Sequence, residues 1–253
     1  MRIFELRFSG NNGGAIETFD SRFVKLLGDF LHQLGRNGLI LDGGVQSFIE
    51  SGQYVCRVIA QDDEDLGSGG ALSEENMNYD TRKALMLLKG KCASDPELYR
   101  REKCVDIPHC TCSSPSHYVL QYIPEWMGSP VMCGDCHCSV PLYKLANNRN
   151  ECEFDDLLRW RKIFRGFIEQ YRAGINGRYS YDQIRNCRSE FAVQGKRISG
   201  KVEQRTGVVT FYPIYSLHER KPEKCPQCGS YFVNDFPNAI IFDRCCRNCR
   251  IVM

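Results

Sequence analysis

The chain has 253 residues, 42% of them hydrophobic and 25% charged, a globular composition long enough for one large core or two smaller ones. Its formal charge is +2, and no stretch approaches the roughly 18 uninterrupted apolar residues of a membrane span, so a helical membrane protein is excluded and no membrane partner is expected. Its 15 cysteines are odd in number and mostly closely paired, and the start, MRIFELRFSG, lacks a secretory pattern, so we expect metal ligation in the cytoplasm rather than disulfides.

Taken in order, residues 1–9 predict a strand, because Phe4, Leu6 and Phe8 alternate with polar or smaller neighbours before the glycine break at 10–14. Ile16, Phe19, Phe23, Leu26, Leu27, Phe30 and Leu34 then recur at helical spacing, with Gly35 or Gly38 as the stop. Apolar runs at 38–41 and 53–61 predict two strands with a less regular segment between them. An acidic Gly/Ser loop at 62–70 and a helix over 73–88 follow. This βαββα order predicts a small α+β domain over 1–92, a sandwich of helices on a sheet related to the split βαβ type.

The middle segment, 104–143, carries Cys110-x-Cys112 and Cys133-Gly-Asp-Cys136 around a predicted strand containing Tyr118, Leu120, Tyr122 and Ile123. The two pairs predict a zinc-ribbon-like unit. His137-Cys138 follow the second pair where glycine is usual, and His109, Cys104 or Cys138 are alternative ligands. A helix over 152–172 carries Leu157, Trp160, Phe164, Phe167, Ile168 and Tyr171 on one side, and a further helix is predicted over 181–193. After a turn-rich stretch comes a strand over 208–216, so 152–216 reads as a helical linker region with one strand.

Residues 222–253 end the chain with Cys225-Pro-Gln-Cys228-Gly229 and Cys246-Arg-Asn-Cys249, two C-x2-C knuckles at zinc-ribbon spacing. Two residues between ligands let a tight turn aim both sulfurs at one ion, and Gly229 allows the backbone to leave the first knuckle. Cys245 is the spare cysteine, because Cys246 gives the matching spacing. The expected cofactors are therefore two structural zinc ions. One is held by Cys110, Cys112, Cys133 and Cys136, the other by Cys225, Cys228, Cys246 and Cys249. Iron suits the same four-thiolate geometry.

The motifs CGDC and VPLY within 133–143, the tryptophan-containing helix, TGVVTFYPIY at 206–215 and the terminal CPQCG with CCRNCRI together resemble an uncharacterised bacterial family of zinc-ribbon-containing proteins. The similarity covers most of 104–253. It implies ligand roles for Cys133, Cys136, Cys225, Cys228, Cys246 and Cys249, and a nucleic-acid-binding role for the chain.

Charge separates two functional expectations. Residues 1–157 hold 15 Lys and Arg against 23 Asp and Glu, a balance of −8, whereas residues 158–253 hold 18 against 8, a balance of +10. A zinc ion with four thiolates carries −2, so one site in each part gives −10 and +8. In the basic part, Arg161, Arg165 and Arg172 fall within a 40° arc of one helix, while Arg244, Arg247 and Arg250 flank the last knuckle with Lys221 and Lys224 before the first. Tyr231, Phe232, Phe236 and Phe242 offer stacking surfaces or ribbon core. The leading expectation is a non-enzymatic zinc-binding module that contacts DNA or RNA through this third. The alternative is a protein-interaction module, such as a toxin-neutralising immunity or adaptor protein, whose acidic part covers a basic nuclease. The five histidines form no H-E-x-x-H, and no nucleophile elbow, P-loop or dinucleotide fingerprint is present.

Overall fold

Phe4, Leu6 and Phe8 point to one side of the first strand, β1 (Arg2–Ser9), and the helix that follows, α1 (Ser21–Arg36), covers them with Phe23, Leu27, Phe30 and Leu34. In this computed structural model the described residues are 2–9, 21–41, 45–60, 72–103, 109–121, 129–145, 154–215, 222–234 and 242–253. The glycine break at 10–14, the helical turn at Ile16 and Phe19, the acidic loop at 62–70, Cys104, Tyr122, Ile123, Cys152, Lys221 and Phe236 lie outside them. The chain forms two compact units, Met1–Pro108 with Pro141–Phe154 and His109–Val140 with Asp155–Met253.

In the first unit, β2 (Gln46–Glu50) and β3 (Gln53–Ala60) form a hairpin, α2 (Tyr79–Lys89) crosses over, and β4 (Glu97–Lys103) completes an antiparallel sheet of order β2-β3-β1-β4. Each β–α–β crossover is split by a strand inserted between its ends, the split βαβ arrangement. The strand expected at 38–41 is absent. Gly38, at φ +68°, ends α1, and Leu39 and Ile40 turn into the core instead. The hairpin strand is 46–50, set by Ser51 and Gly52, both at positive φ as a two-residue turn requires. The helix expected over 73–88 is interrupted: a 3-10 turn covers Glu74–Asn76, and the Asn78 side chain accepts from the Thr81 N–H at 2.8 Å to start α2.

The second unit contains β5 (His117–Leu120), β6 (Val131–Cys133), α3 (Asp155–Arg172), α4 (Gly177–Arg185), α5 (Glu190–Thr206), β7 (Val209–Pro213), β8 (Cys245–Cys246) and β9 (Ile251–Val252). Its sheet has the order β6-β5-β7-β9-β8, with β5, β7 and β9 parallel and an antiparallel strand at each edge. The helical region expected as a linker packs inside this unit. Trp160 of α3 stacks on Phe191 of α5 with centroids 5.4 Å apart and planes 4° apart, and Tyr212 of β7 meets the same indole edge-on. The single helix expected over 181–193 is two helices, broken at 186–189, where the Ser189 side chain accepts from the Ala192 N–H to start α5. The stretch expected to be turns is the body of α5. Its Gly195 is a packing residue, since a β-carbon there would lie 2.1 Å from the Tyr212 ring.

On the face of the first sheet away from α1, Glu5 is 1% exposed and lies opposite Arg57 and Tyr99. Its carboxylate accepts from Arg101 at 2.6 Å, Arg57 at 2.9 Å and Arg7 at 3.1 Å. Burial pushes the carboxyl up, but these three guanidinium hydrogen bonds outweigh it and hold the pKa at about 2, below the usual 4.5. Arg57 and Arg101 are nearly half exposed, so the solvent already screens part of this interaction.

A folded-state pKa below the unfolded value stabilises fully above 4.5, and the contribution disappears as pH falls toward 2. Glu5→Gln is therefore expected to destabilise the first unit by about 1–3 kcal/mol at neutral pH, read from hydrogen exchange at the β1 amides. The variant should lose less stability than the wild type between pH 5 and pH 2. Parallel losses would mean that the network does not set acid stability.

Candidate metal centres

Both groups of four cysteines converge. The sulfurs of Cys110, Cys112, Cys133 and Cys136 lie within 4.8 Å of one another, and so do those of Cys225, Cys228, Cys246 and Cys249. A tetrahedral ion with metal–sulfur bonds of roughly 2.3 Å separates its sulfurs by about 3.8 Å. The Cys228 and Cys246 sulfurs are 3.6 Å apart. In each group one sulfur of each pair is buried and the other is exposed or half-buried, so each site lies at the surface with one side against the unit. His109 and Cys138 belong to neither group. His109 bridges Ser139 through the backbone, and the Cys138 thiol faces the Cys136 carbonyl at 3.3 Å.

The three C-x2-C knuckles share one backbone device. The residue after the second cysteine is left-handed in each: His137 at φ 56°, Gly229 at φ 76° and Arg250 at φ 53°. In the first two its amide returns to the first cysteine's carbonyl, His137 to Cys133 at 3.0 Å and Gly229 to Cys225 at 2.8 Å, which closes the turn and turns both thiols to one side. The histidine that departs from the usual glycine therefore adopts the glycine's conformation.

Strand geometry identifies the spare cysteine. Cys245 and Cys246 are successive residues of β8, so their side chains leave opposite faces. Cys245 is fully buried in a cluster with Val119, Phe211, Phe242 and Val252, while Cys246 joins the sulfur group.

Several residues that sequence reasoning passed over hold the sites. His117 lies across Gly134, where a β-carbon would come within 1.9 Å of its Nε2, and burial pushes the histidine pKa down. Asp135 accepts from the Ser116 amide at 2.7 Å and from its hydroxyl. From α5, the Lys196 ammonium donates to the Cys187 carbonyl at 3.0 Å and to the Gln227 side chain inside the first C-terminal knuckle. Ser116, His117 and Lys196 sit at no ligand spacing, so only folding shows them.

Electrostatics fits a cation at each group. Burial pushes the Cys110, Cys136, Cys246 and Cys249 thiols up, whereas hydrogen bonds from Ser230 hold Cys228 down at about 6. Cys228 apart, these crowded sulfurs keep their protons unless a positive ion compensates the thiolates, and a divalent ion at the centre would do so. The donors are soft and tetrahedral, so either group could hold a metal ion, and no fifth ligand position is needed.

The arginines are distributed differently. Arg165 is exposed and bonds to Glu169 at 2.6 Å; Arg172 is exposed and Arg161 half-buried on the same helix. Arg250 reaches Glu203 of α5 at 3.2 Å, Arg244 lies 3.9 Å from Asp243, and Arg247 is exposed.

Residues 112–215 match a domain of unknown function, DUF2310. The match takes in Cys112, Cys133, Cys136, all three helices of the second unit and β7, and ends before the second sulfur group. Two uncharacterized proteins of Haemophilus influenzae are each 26% identical over 146 residues, 55% of this chain, and the alignment covers 71% of one and 56% of the other. No solved structure matches. Among the described residues no helix is long and apolar enough to cross a membrane.

The chain isolated without chelator is expected to carry two metal equivalents by elemental analysis. Cys228→Ser should lose one and unfold the hairpins around the second group, since structural metal binding is worth on the order of 10 kcal/mol to such a small unit. Cys245→Ser should retain both, at about 1–2 kcal/mol for the altered core. Equal metal loss in the two variants would assign the ligand role to Cys245.

Proposed function

We propose that the protein is a non-enzymatic zinc-binding module whose two four-cysteine sites shape a basic surface for DNA or RNA. The observation that carries this reading is the placement of both sulfur groups in the unit that contains the basic residues 158–253. A metal closed by four protein thiolates has no position for water or substrate, so its role is scaffolding. Zinc is the assigned ion because it keeps four-thiolate geometry without redox change.

Arg161, Arg165 and Arg172 along α3, with Arg244, Arg247 and Arg250 around the last knuckle, are the assigned phosphate contacts. Their acidic neighbours do not oppose this. The Arg165–Glu169 pair is exposed on both sides, and pairs of that kind contribute roughly 0–1 kcal/mol, so a phosphate replaces the carboxylate at little cost. Arg250 is tied to Glu203 and orients the knuckle as well as adding charge.

Binding to labelled DNA or RNA is expected to weaken steeply with salt. Changing Arg161, Arg165 and Arg172 together to Gln should lower the log–log salt slope by up to about two to three, with metal content unchanged. Absence of binding at low salt would overturn this reading and favour an interaction module that meets a basic protein through the acidic residues of 1–157.

A further inference from the structure

Along α4 and its N-cap residue runs an open, shallow groove of about 830 Å³, lined by Asn176, Gly177, Arg178, Tyr179, Tyr181, Asp182 and Arg185. None of these residues stands out in the sequence, because none falls at a ligand spacing or on the α3 arginine strip. We propose that this groove takes one unstacked nucleotide of a single-stranded nucleic acid, its base on the Tyr179 ring and its phosphate on the neighbouring Arg178. The inference rests on the reading that the basic part contacts nucleic acid, and it adds a site outside the arginines already assigned.

Three observations point to this occupant. Tyr179 is 60% exposed, and its ring meets Phe167 edge-on at 6.2 Å, so an aromatic surface is presented to solvent with one edge against α3. An exposed tyrosine alone is ordinary; one packed against a second ring in a groove with two arginines is a stacking platform with charge beside it. Arg185 is also held in place. Its guanidinium lies 5.0 Å from the Tyr181 ring centroid and donates to Asp182 at 3.3 Å, while Tyr181 itself is buried against Tyr171 at 5.5 Å. The charged residues named are two arginines and one aspartate, a balance that favours an anion, and the volume lies within the roughly 300–1,000 Å³ of small-ligand clefts.

The geometry selects single strands over duplex. In a duplex each base is stacked between its neighbours and offers no free face to Tyr179, whereas a single strand can turn a base out and stack it on an aromatic ring irrespective of its identity. Asp182 engages Arg185 and disfavours an anion beside it, which leaves Arg178 as the phosphate contact and fits one nucleotide rather than a backbone running the length of the groove.

The test uses the full metal-loaded chain, fluorescein-labelled oligo(dT) and a duplex of equal length, with fluorescence anisotropy as the readout. Tyr179→Ala is expected to weaken oligo(dT) binding about fivefold to a hundredfold and leave duplex binding unchanged. Tyr179→Phe should bind as the wild type does, since the ring is kept. An oligonucleotide carrying 5-iododeoxyuridine should photocrosslink to Tyr179 in the wild type. If the wild type binds, the Arg161, Arg165 and Arg172 triple variant binds less, and Tyr179→Ala is unaffected with the crosslink elsewhere, the groove is overturned and the arginine surface stands. If the wild type binds neither probe at low salt, the surface reading falls and the groove with it.

Discussion

A β-carbon at residue 195 would lie 2.1 Å from the Tyr212 ring and 2.9 Å from Trp160 Nε1, so α5 approaches β7 this closely only because Gly195 has no side chain. The helix loses about 1 kcal/mol relative to alanine at that position, and the close packing of Trp160, Phe191 and Tyr212 offsets it. Strand β7 then organises the rest of the unit. It pairs in parallel with β5 on one side and β9 on the other. Through β5 it fixes β6, which ends on Cys133, and through β9 it fixes β8, which ends on Cys246. The two sulfur groups are thus attached to one hydrogen-bonded sheet, although more than 85 residues separate Cys136 from Cys225 in the chain.

The two sulfur groups are legible because a knuckle is a local object: two cysteines three positions apart and a residue that turns left-handed. Gly229 announces that turn, whereas His137 and Arg250 make it with a β-carbon at a modest conformational cost, offset at His137 by the bond of its amide to the Cys133 carbonyl. Arg250 gains a further tie, since its carbonyl accepts from the Tyr212 amide at 2.7 Å and so joins the last knuckle to β7. What the sequence could not show was support from a distance. His117 over Gly134 and Lys196 against Gln227 depend on pairings of segments that no spacing rule connects.

The elements divide along the same line. β1, β3, β7, α1 and α3 have strong period-two or helical apolar patterns, and they appear where the pattern puts them. β4 was missed because its sequence, ELYRREK, has no apolar face; Arg101 instead bonds to Glu5, and Tyr99 lies under Arg7 and Arg101. Beyond residue 193 the sequence of α5 reads as turns, because Gly195, Ser199, Gly200 and Thr206 depress helix propensity. There tertiary contact overrides local preference, with Ile198 and Val202 buried on the same face as Gly195.

Folding also changes the charge argument. Counted by sequence, one sulfur group falls in the acidic part and one in the basic part, but both belong to the second unit. That unit holds 18 Lys and Arg against 12 Asp and Glu, a balance of +6, which two divalent ions each held by four thiolates would reduce to +2. Part of the basic excess would then balance thiolates, so net charge alone is a poor guide to an anionic partner. Local placement decides. α3 and α4 together contain seven Lys and Arg against four Asp and Glu and not one cysteine, so no thiolate on these helices offsets their positive balance. Within roughly a Debye length, the potential beside these helices follows their own charges more than the net charge of the unit.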